Sequence, residues 1–154
     1  MLDRTLTLPE DPEELRSFTA RLLAEVKAAM RATGVTMADA EMIRLNTDTR
    51  LEDFTPFLDR IADLGARHVL IAVDDTDMAR VQDNYTGLCE KLGGYRLTAD
   101  LEFMPWTGVK DLATARRIVE KADHPAAAIV EQRVAGHDRP FAQPAARGEN
   151  ENQR

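Results

Sequence analysis

The residues best suited to chemistry lie where predicted strands end, and the segment around Glu102 is the most informative of them. The alternation over residues 97–103 predicts a strand with one apolar face, and Glu102 follows Thr98 and Asp100 on the polar face. A carboxylate there could bind a divalent cation or exchange a proton with a carbon next to a carbonyl. Trp106 would add an apolar wall with one N–H donor, suited to stacking on a sugar ring. From chemistry alone, a purely structural role for Glu102 stays open.

Two other predicted strand ends carry polar side chains. Residues 44–48 offer the Arg44 guanidinium and small polar groups for a substrate hydroxyl or phosphate, although Asn, Thr and Asp also form ordinary turns. Three aspartates follow the apolar run at residues 68–73 in an arrangement that resembles the metal site of receiver domains. The phosphoacceptor Asp and the later Lys that such a site needs are missing, so we interpret these aspartates as helix caps.

Alternating helices and strands must position these segments. The first helix is predicted after Asp11 and Pro12 and ends at Gly34, with one apolar stripe of side chains. A capping box at residues 49–52 predicts the start of the second helix, and Pro56 would delay or kink that start. Spacing of about 30 residues between strands predicts parallel pairing through right-handed crossovers, hence an α/β fold. Strands are predicted at residues 38–45, 68–73, 97–103 and 127–130, with later helices at 77–92 and 111–122.

Length, charge and cysteine content exclude several classes of protein. The 154 residues are too few for a complete eight-unit barrel, which needs roughly 250. A net charge of -7 repels a phosphate backbone, so we expect no nucleic-acid partner. One cysteine, no signal-peptide pattern and no apolar run of about 18 residues together predict a cytoplasmic protein without a membrane partner.

The segment at residues 100–108, Asp-Leu-Glu-Phe-Met-Pro-Trp-Thr-Gly, resembles the fifth-strand region of sugar phosphate isomerases/epimerases with a xylose isomerase-like TIM barrel. Residues 38–45 resemble that family's third strand, residues 64–70 the turn into its fourth strand, and residues 111–115 the helix after its fifth. The resemblance covers roughly residues 30–130. It implies a partial (β/α) barrel of the xylose isomerase-like type over residues 1–131, with about four parallel strands and flanking helices.

The same resemblance implies an enzyme that acts on a sugar or sugar phosphate. Such barrels hold a divalent metal (Mn, Mg, Co or Zn) with a Glu, an Asp, a His and a second Glu from successive strands, while carboxylates move a proton. By resemblance, Glu102 is the first metal ligand and a candidate acid/base, and Glu131 stands where the Asp is expected. Trp106, Arg44 and Glu41 are the substrate-binding candidates.

The chain departs from the family after Glu131. Val134 stands where a His is expected, and residues 132–154 carry no helical or strand pattern, which predicts a disordered tail. Nothing corresponds to the first two or last two strands, so we expect a chain truncated or frameshifted near residue 131, with weak metal binding.

Three functions stay open. The first is a sugar or sugar-phosphate isomerase/epimerase that is impaired in this chain. The second is a non-catalytic remnant or assembly subunit, whose open sheet edges and uncovered face favour a homo-oligomer, for instance two half-barrels face to face. The third is an endonuclease of the same barrel superfamily, which the acidic balance disfavours.

Overall fold

Helices and parallel strands alternate through residues 9–130, the part of the chain that the computed structural model describes. Residues 1–8, Glu131 and the predicted tail at 132–154 lie outside the described residues, so the boundary at 131 stays a prediction. A 3-10 turn at Leu51–Phe54 precedes the second helix. In chain order the elements are α1 (Pro12–Thr33), β1 (Asp39–Leu45), α2 (Thr55–Asp63), β2 (His68–Val73), α3 (Met78–Gly94), β3 (Thr98–Leu101), α4 (Leu112–Ala122) and β4 (Ala127–Ile129).

The four strands form one parallel sheet in the order β1-β2-β3-β4. This confirms the predicted α/β class and the predicted parallel pairing of strands that alternate with helices along the chain. Strand register aligns two apolar rows across the sheet, and parallel pairing puts each row on one face. The rows are Ala40, Val69, Ala99 and Ala127, and then Ile43, Ile71, Leu101 and Ile129.

The helices α2, α3 and α4 bury the face that carries these two rows. Their inward side chains join the strand residues in one apolar cluster. The opposite face is only partly covered, since His68, Leu70 and Asp100 are each half-buried. The chief helix contributors to the cluster are Leu58, Ile61, Val81, Tyr85, Leu88, Leu92, Ala115 and Ile118.

Three helices begin at the aspartates that the sequence indicated. The Asp11 carboxylate accepts hydrogen bonds from the N–H groups at the start of α1 at 2.9 Å, and Asp77 and Asp111 do the same for α3 and α4. Gly34 ends α1 with a φ of 70°, a left-handed conformation that glycine adopts without strain. Within the described residues, no helix combines the length and the apolar character needed to cross a bilayer.

The predicted capping box at residues 49–52 is wrong. Arg50 occupies the cap position of the 3-10 turn and makes no side-chain cap bond there. The Thr49 hydroxyl instead accepts the Asn46 N–H at 2.8 Å, closing the turn after β1. Pro56 lies in the first turn of α2, which begins at Thr55, so the proline does delay the regular helix as expected.

An ion pair between the buried Asp75 and the exposed Arg80 joins the end of β2 to the first turns of α3. The Asp75 side chain is 2% exposed and accepts two hydrogen bonds from the Arg80 guanidinium, at 2.5 and 2.9 Å. It also accepts the Asp77 N–H at 2.9 Å. These donors favour the ionised carboxylate and lower the pKa of Asp75 from 3.8 to about 2.

The Asp75→Asn variant is expected to have a lower free energy of unfolding than wild type near neutral pH. This difference between the two proteins should shrink as the pH falls. The folded chain binds the Asp75 proton less tightly than the unfolded chain, so the carboxylate stabilises the fold above about pH 4. That contribution falls away as the pH drops through the folded pKa of about 2. Urea unfolding across this range should therefore show a shallower decline in Asp75→Asn than in wild type. The exposed Asp83→Asn change on α3 is the control, and an equal slope in Asp75→Asn would contradict the prediction.

Candidate functional site

A polar row crosses the partly covered sheet face where the strands end. Arg44 on β1 pairs in register with Ala72 on β2. The Glu102 N–H donates to the Ile71 carbonyl at 2.9 Å, which continues the pairing of β2 with β3 and sets Glu102 beside Ala72. Two strand spacings separate the Arg44 and Glu102 backbones, about 10 Å. The Ala72 side chain between them is fully buried, so a ligand at this row would meet the guanidinium and the carboxylate rather than Ala72 itself.

Glu102 lies one residue beyond β3 and is half-buried. Glu102 lies on the sheet face that the alternation of residues 97–103 predicted. Leu97, Ala99 and Leu101 are buried on the face that packs against the helices, which leaves Glu102 on the opposite face. The strand itself is shorter than predicted, since the chain turns into a loop after Leu101. A partly buried carboxylate at a strand end can accept or return a proton within reach of a ligand.

Arg44 is fixed by an ion pair with Asp74. One guanidinium nitrogen, Nη1, lies 2.7 Å from each Asp74 carboxylate oxygen, and both side chains are about half exposed. A guanidinium carries five N–H donors, so those on the other two nitrogens can address a hydroxyl or an anion. Sequence reasoning treated Asp74 as a cap residue and missed this contact. The signal is the register of β1 with β2, which brings the ends of the two strands together.

The loop after Glu102 is fastened to the end of β2. The Gly108 N–H donates to the Val73 carbonyl at 2.6 Å, and the buried Thr107 hydroxyl contacts the Met104 and Val109 carbonyls at 2.9 Å. Trp106 lies at the tip of this loop and is 79% exposed. The indole ring of Trp106 is therefore accessible to a ligand.

Glu41 lies away from this row. It is exposed on β1, next to a cis peptide bond with Met42, and stands three residues before Arg44. Three strand residues span about 10 Å, so the structure does not bring Glu41 to the strand ends. Glu41 does not line the cleft that lies beside Arg44. This cleft has a volume of about 220 Å³, and its lining residues are Arg44, Asn46, Asp48, Thr49, Arg50, Asp53 and Phe54.

A second polar cluster lies nearer the amino ends of β2 and β3. The sequence placed Thr98 and Asp100 on one polar face but did not predict their contact with His68. His68 Nδ1 is 2.8 Å from the Thr98 hydroxyl and 3.3 Å from Asp100 Oδ2. The Thr98 hydroxyl contacts Asp100 Oδ1 at 2.5 Å. His68 and Thr98 are register partners, so strand pairing alone explains their contact. The cluster lies on the same sheet face as Glu102, nearer the amino ends of the strands.

The described residues do not by themselves fit a divalent metal. Among residues 9–130, no group of three or more His, Cys, Asp or Glu side chains could hold one. The carboxylate of Asp74, at the neighbouring strand end, is engaged by Arg44. The metal-ligand roles of Glu102 and Glu131 therefore stay predictions, and Glu131 lies outside the described residues.

An open parallel sheet with helices on one face and polar strand ends on the other defines part of an α/β barrel. Comparison with models of known protein families finds no match, and no curated protein matches the chain either. Solved structures do match. A xylose isomerase-like TIM barrel/4-hydroxyphenylpyruvate dioxygenase fusion protein superposes with a TM-score of 0.62 at 21% identity, over 70% of this chain and 19% of that one. A protein from Sinorhizobium meliloti superposes with a TM-score of 0.60 at 14% identity, over 77% of this chain and 50% of that one.

These likenesses show the fold. The chain has the architecture of part of a xylose isomerase-like TIM barrel, as the resemblance of residues 100–108 predicted. It spans about one fifth of the length of the first structure and half the length of the second. The predicted partial barrel is thereby confirmed as an architecture.

Proposed function

We propose that the chain forms one wall of a sugar or sugar-phosphate isomerase or epimerase site, with Glu102 as the proton-transferring group. The observation that carries the proposal is the placement of Arg44 and Glu102 on either side of Ala72, at the strand ends of the partly covered face. In parallel α/β barrels this end of the strands bears the active site.

The proposed chemistry uses the two side chains in different ways. The Glu102 carboxylate takes a proton from the carbon next to a substrate carbonyl, and the C–H electron pair moves to form an enediolate. In an isomerisation the same group then returns the proton to the neighbouring carbon, while the hydroxyl proton shifts to the former carbonyl oxygen. In an epimerisation the proton must come to the opposite face of the carbon from a second acid, which lies outside residues 9–130 or on another chain. Arg44, held by Asp74, orients a substrate hydroxyl or phosphate with its remaining N–H donors. Trp106 offers an apolar surface to a sugar ring.

The rest of the site must come from outside residues 9–130 or from another chain. The divalent metal expected from the resemblance would belong to that completed site. We still expect this chain alone to bind a metal weakly, because Asp74, the aspartate at the strand end next to Glu102, is already paired with Arg44.

Solvent deuterium exchange tests the proposal directly. The full chain is incubated in D₂O with a panel of aldose and ketose phosphates, with and without Mn²⁺, and deuterium at the carbon next to the carbonyl is followed by NMR. We expect wild type to catalyse exchange and Glu102→Gln to slow it by roughly 100-fold or more, the usual contribution of a positioned acid or base. Glu90→Gln, an exposed change on α3, should leave the rate unchanged. Exchange that is equally fast in Glu102→Gln would remove Glu102 from the chemistry.

A second candidate function is that of a non-catalytic assembly subunit. It is favoured by the partly covered face and by the lack of a three-ligand cluster among the described residues. A folded wild-type chain that shows no exchange with any sugar phosphate, with or without Mn²⁺, would favour this candidate over the enzyme.

A further inference from the structure

The first helix carries an apolar stripe that the described chain leaves uncovered. Leu15, Leu22 and Val26 are 38%, 43% and 40% exposed, and no residue of the 22-residue helix is buried. Together with Phe18 and Ala29 they recur at three- and four-residue steps, which puts them on one side of α1. The apolar cluster of the sheet includes no residue of α1. The stripe is therefore an exposed apolar surface, the kind that marks a binding partner.

The rest of the chain holds α1 by a different side. Lys27 Nζ contacts Asp63 Oδ1 at the end of α2 at 2.6 Å, and Leu23 and Met30 on the same side are half-buried. Leu22 and Val26 lie on the neighbouring side of the helix and face away from this contact, as their exposure shows. The tether fixes α1 while leaving the stripe free to meet another molecule.

Charge along α1 favours a partner that runs in the opposite direction. The first turn is acidic, with Glu13 and Glu14 next to the capping Asp11, and the last turn is basic, with Arg31. An antiparallel copy of the same helix sets each acidic end beside a basic end, whereas a parallel copy sets like charges together. The helix dipoles also oppose one another in the antiparallel arrangement.

We propose that α1 pairs with α1 of a second copy of this chain, antiparallel, about a two-fold axis near Leu22. Leu15 and Ala29 lie seven residues on either side of Leu22, so each faces the other across the axis. Phe18 and Val26 lie four residues on either side and match in the same way. Arg21 and Glu25, which pair within one helix at 4.0 Å, flank the stripe on one side and can exchange partners with the second copy. The stripe is thus self-complementary, as a two-fold interface requires.

The length of α1 sets the strength to expect. A helix of 22 residues is about 33 Å long, and a single pair of such helices buries less than the standard interface of roughly 1,600 Å². We therefore expect a dimer with a dissociation constant in roughly the micromolar range. The proposal does not depend on the proposed enzymatic function, because α1 lies apart from the row that holds Glu102.

Sedimentation of the full chain over a concentration series tests the pairing. Wild type should pass from monomer to dimer, and Leu22→Glu should remain monomeric at every concentration, since it sets two carboxylates on the axis. Ala24→Glu is the matched control, because residue 24 is exposed on the opposite side of α1 and the dimer should persist. Circular dichroism checks that both variants keep their helices.

Cysteine crosslinking gives a second, independent readout. Leu22→Cys should form a disulfide-linked dimer under mild oxidation, because a residue on a two-fold axis meets its own copy. Ala24→Cys should not, and the native Cys89 is fully buried and should not interfere. A wild-type chain that stays monomeric throughout overturns the proposal. So does a dimer that survives Leu22→Glu and fails to crosslink through Leu22→Cys, which would place the contact on the open sheet face.

Discussion

Gly108→Ala is expected to destabilise the fold by about 3 kcal/mol, the upper part of the usual range for overpacking. A Cβ atom at Gly108 would overlap the Asp75 carbonyl oxygen, and would lie 3.0 Å from the Asp75 carbonyl carbon and 3.2 Å from the Val73 carbonyl oxygen. These are backbone atoms at the end of β2, so no side chain can rotate out of the way. The loop must move instead, and the bond from Gly108 N–H to Val73 is lost.

Urea unfolding of Gly108→Ala beside Gly94→Ala measures this cost. Gly94 lies in the last turn of α3, and nothing lies within 4 Å of the place that a Cβ atom would take there. Alanine at this position should be neutral or stabilising by up to about 1 kcal/mol, because it favours the helix. The displaced loop carries Trp106 and directly follows Glu102, so Gly108→Ala should also weaken any sugar binding. Equal stability of the two variants would show that the loop is not held against β2.

Much of the fold could be predicted because its signals are local. Asp11, Asp77 and Asp111 each precede a helical pattern, and a capping aspartate needs only its next few residues to act. Residues 68–73 form an almost continuous apolar run, which predicts a parallel strand covered on both faces. In the structure helices cover one face, while on the other Ala72 is buried and His68 and Leu70 are half-buried.

The errors arose where a residue had two competing partners. Thr49 has the spacing of a capping box, but the turn after β1 offers it the Asn46 N–H first, and Pro56 already favours a later helix start.

The apolar stripe of α1 was predicted, but an amphipathic pattern does not indicate which surface will cover the stripe. In the described residues nothing does, because α1 is held through Lys27 on another side.

The candidate site was predictable only in part for the same reason. Alternation along one strand identified the face of Glu102, since side-chain direction has a period of two. The contacts of Arg44 with Asp74 and of His68 with Thr98 depend on register between strands, which no single segment encodes. The substrate role of Trp106 and the metal role of Glu131 depend on residues or partners beyond 9–130.

Tyr85 shows how a single buried hydroxyl connects three elements of this fold. It is fully buried on α3, and its hydroxyl donates to the Ala99 carbonyl of β3 at 2.7 Å and lies 3.1 Å from the Ala128 carbonyl of β4. The Ala128 N–H donates back to the same oxygen at 3.3 Å. Burial raises the pKa of Tyr85 above its ordinary value of 10.0, so the hydroxyl stays protonated over the range in which the protein can be studied.

Tyr85→Phe is expected to cost about 2 kcal/mol of unfolding free energy, because it leaves buried backbone groups of β3 and β4 without their partner. β4 is only three residues long and is the last described strand, so its amides should lose hydrogen-exchange protection before those of β2. Tyr95→Phe is the matched control, since the Tyr95 hydroxyl contacts an exposed carboxylate, that of Asp59, at 2.8 Å and its loss should cost under about 0.5 kcal/mol. The difference between the two variants should not change between about pH 6 and pH 9, because the Tyr85 hydroxyl does not ionise there. If Tyr85→Phe costs no more than Tyr95→Phe, the Tyr85 hydroxyl does not anchor β4, and β4 is held by its backbone pairing with β3 alone.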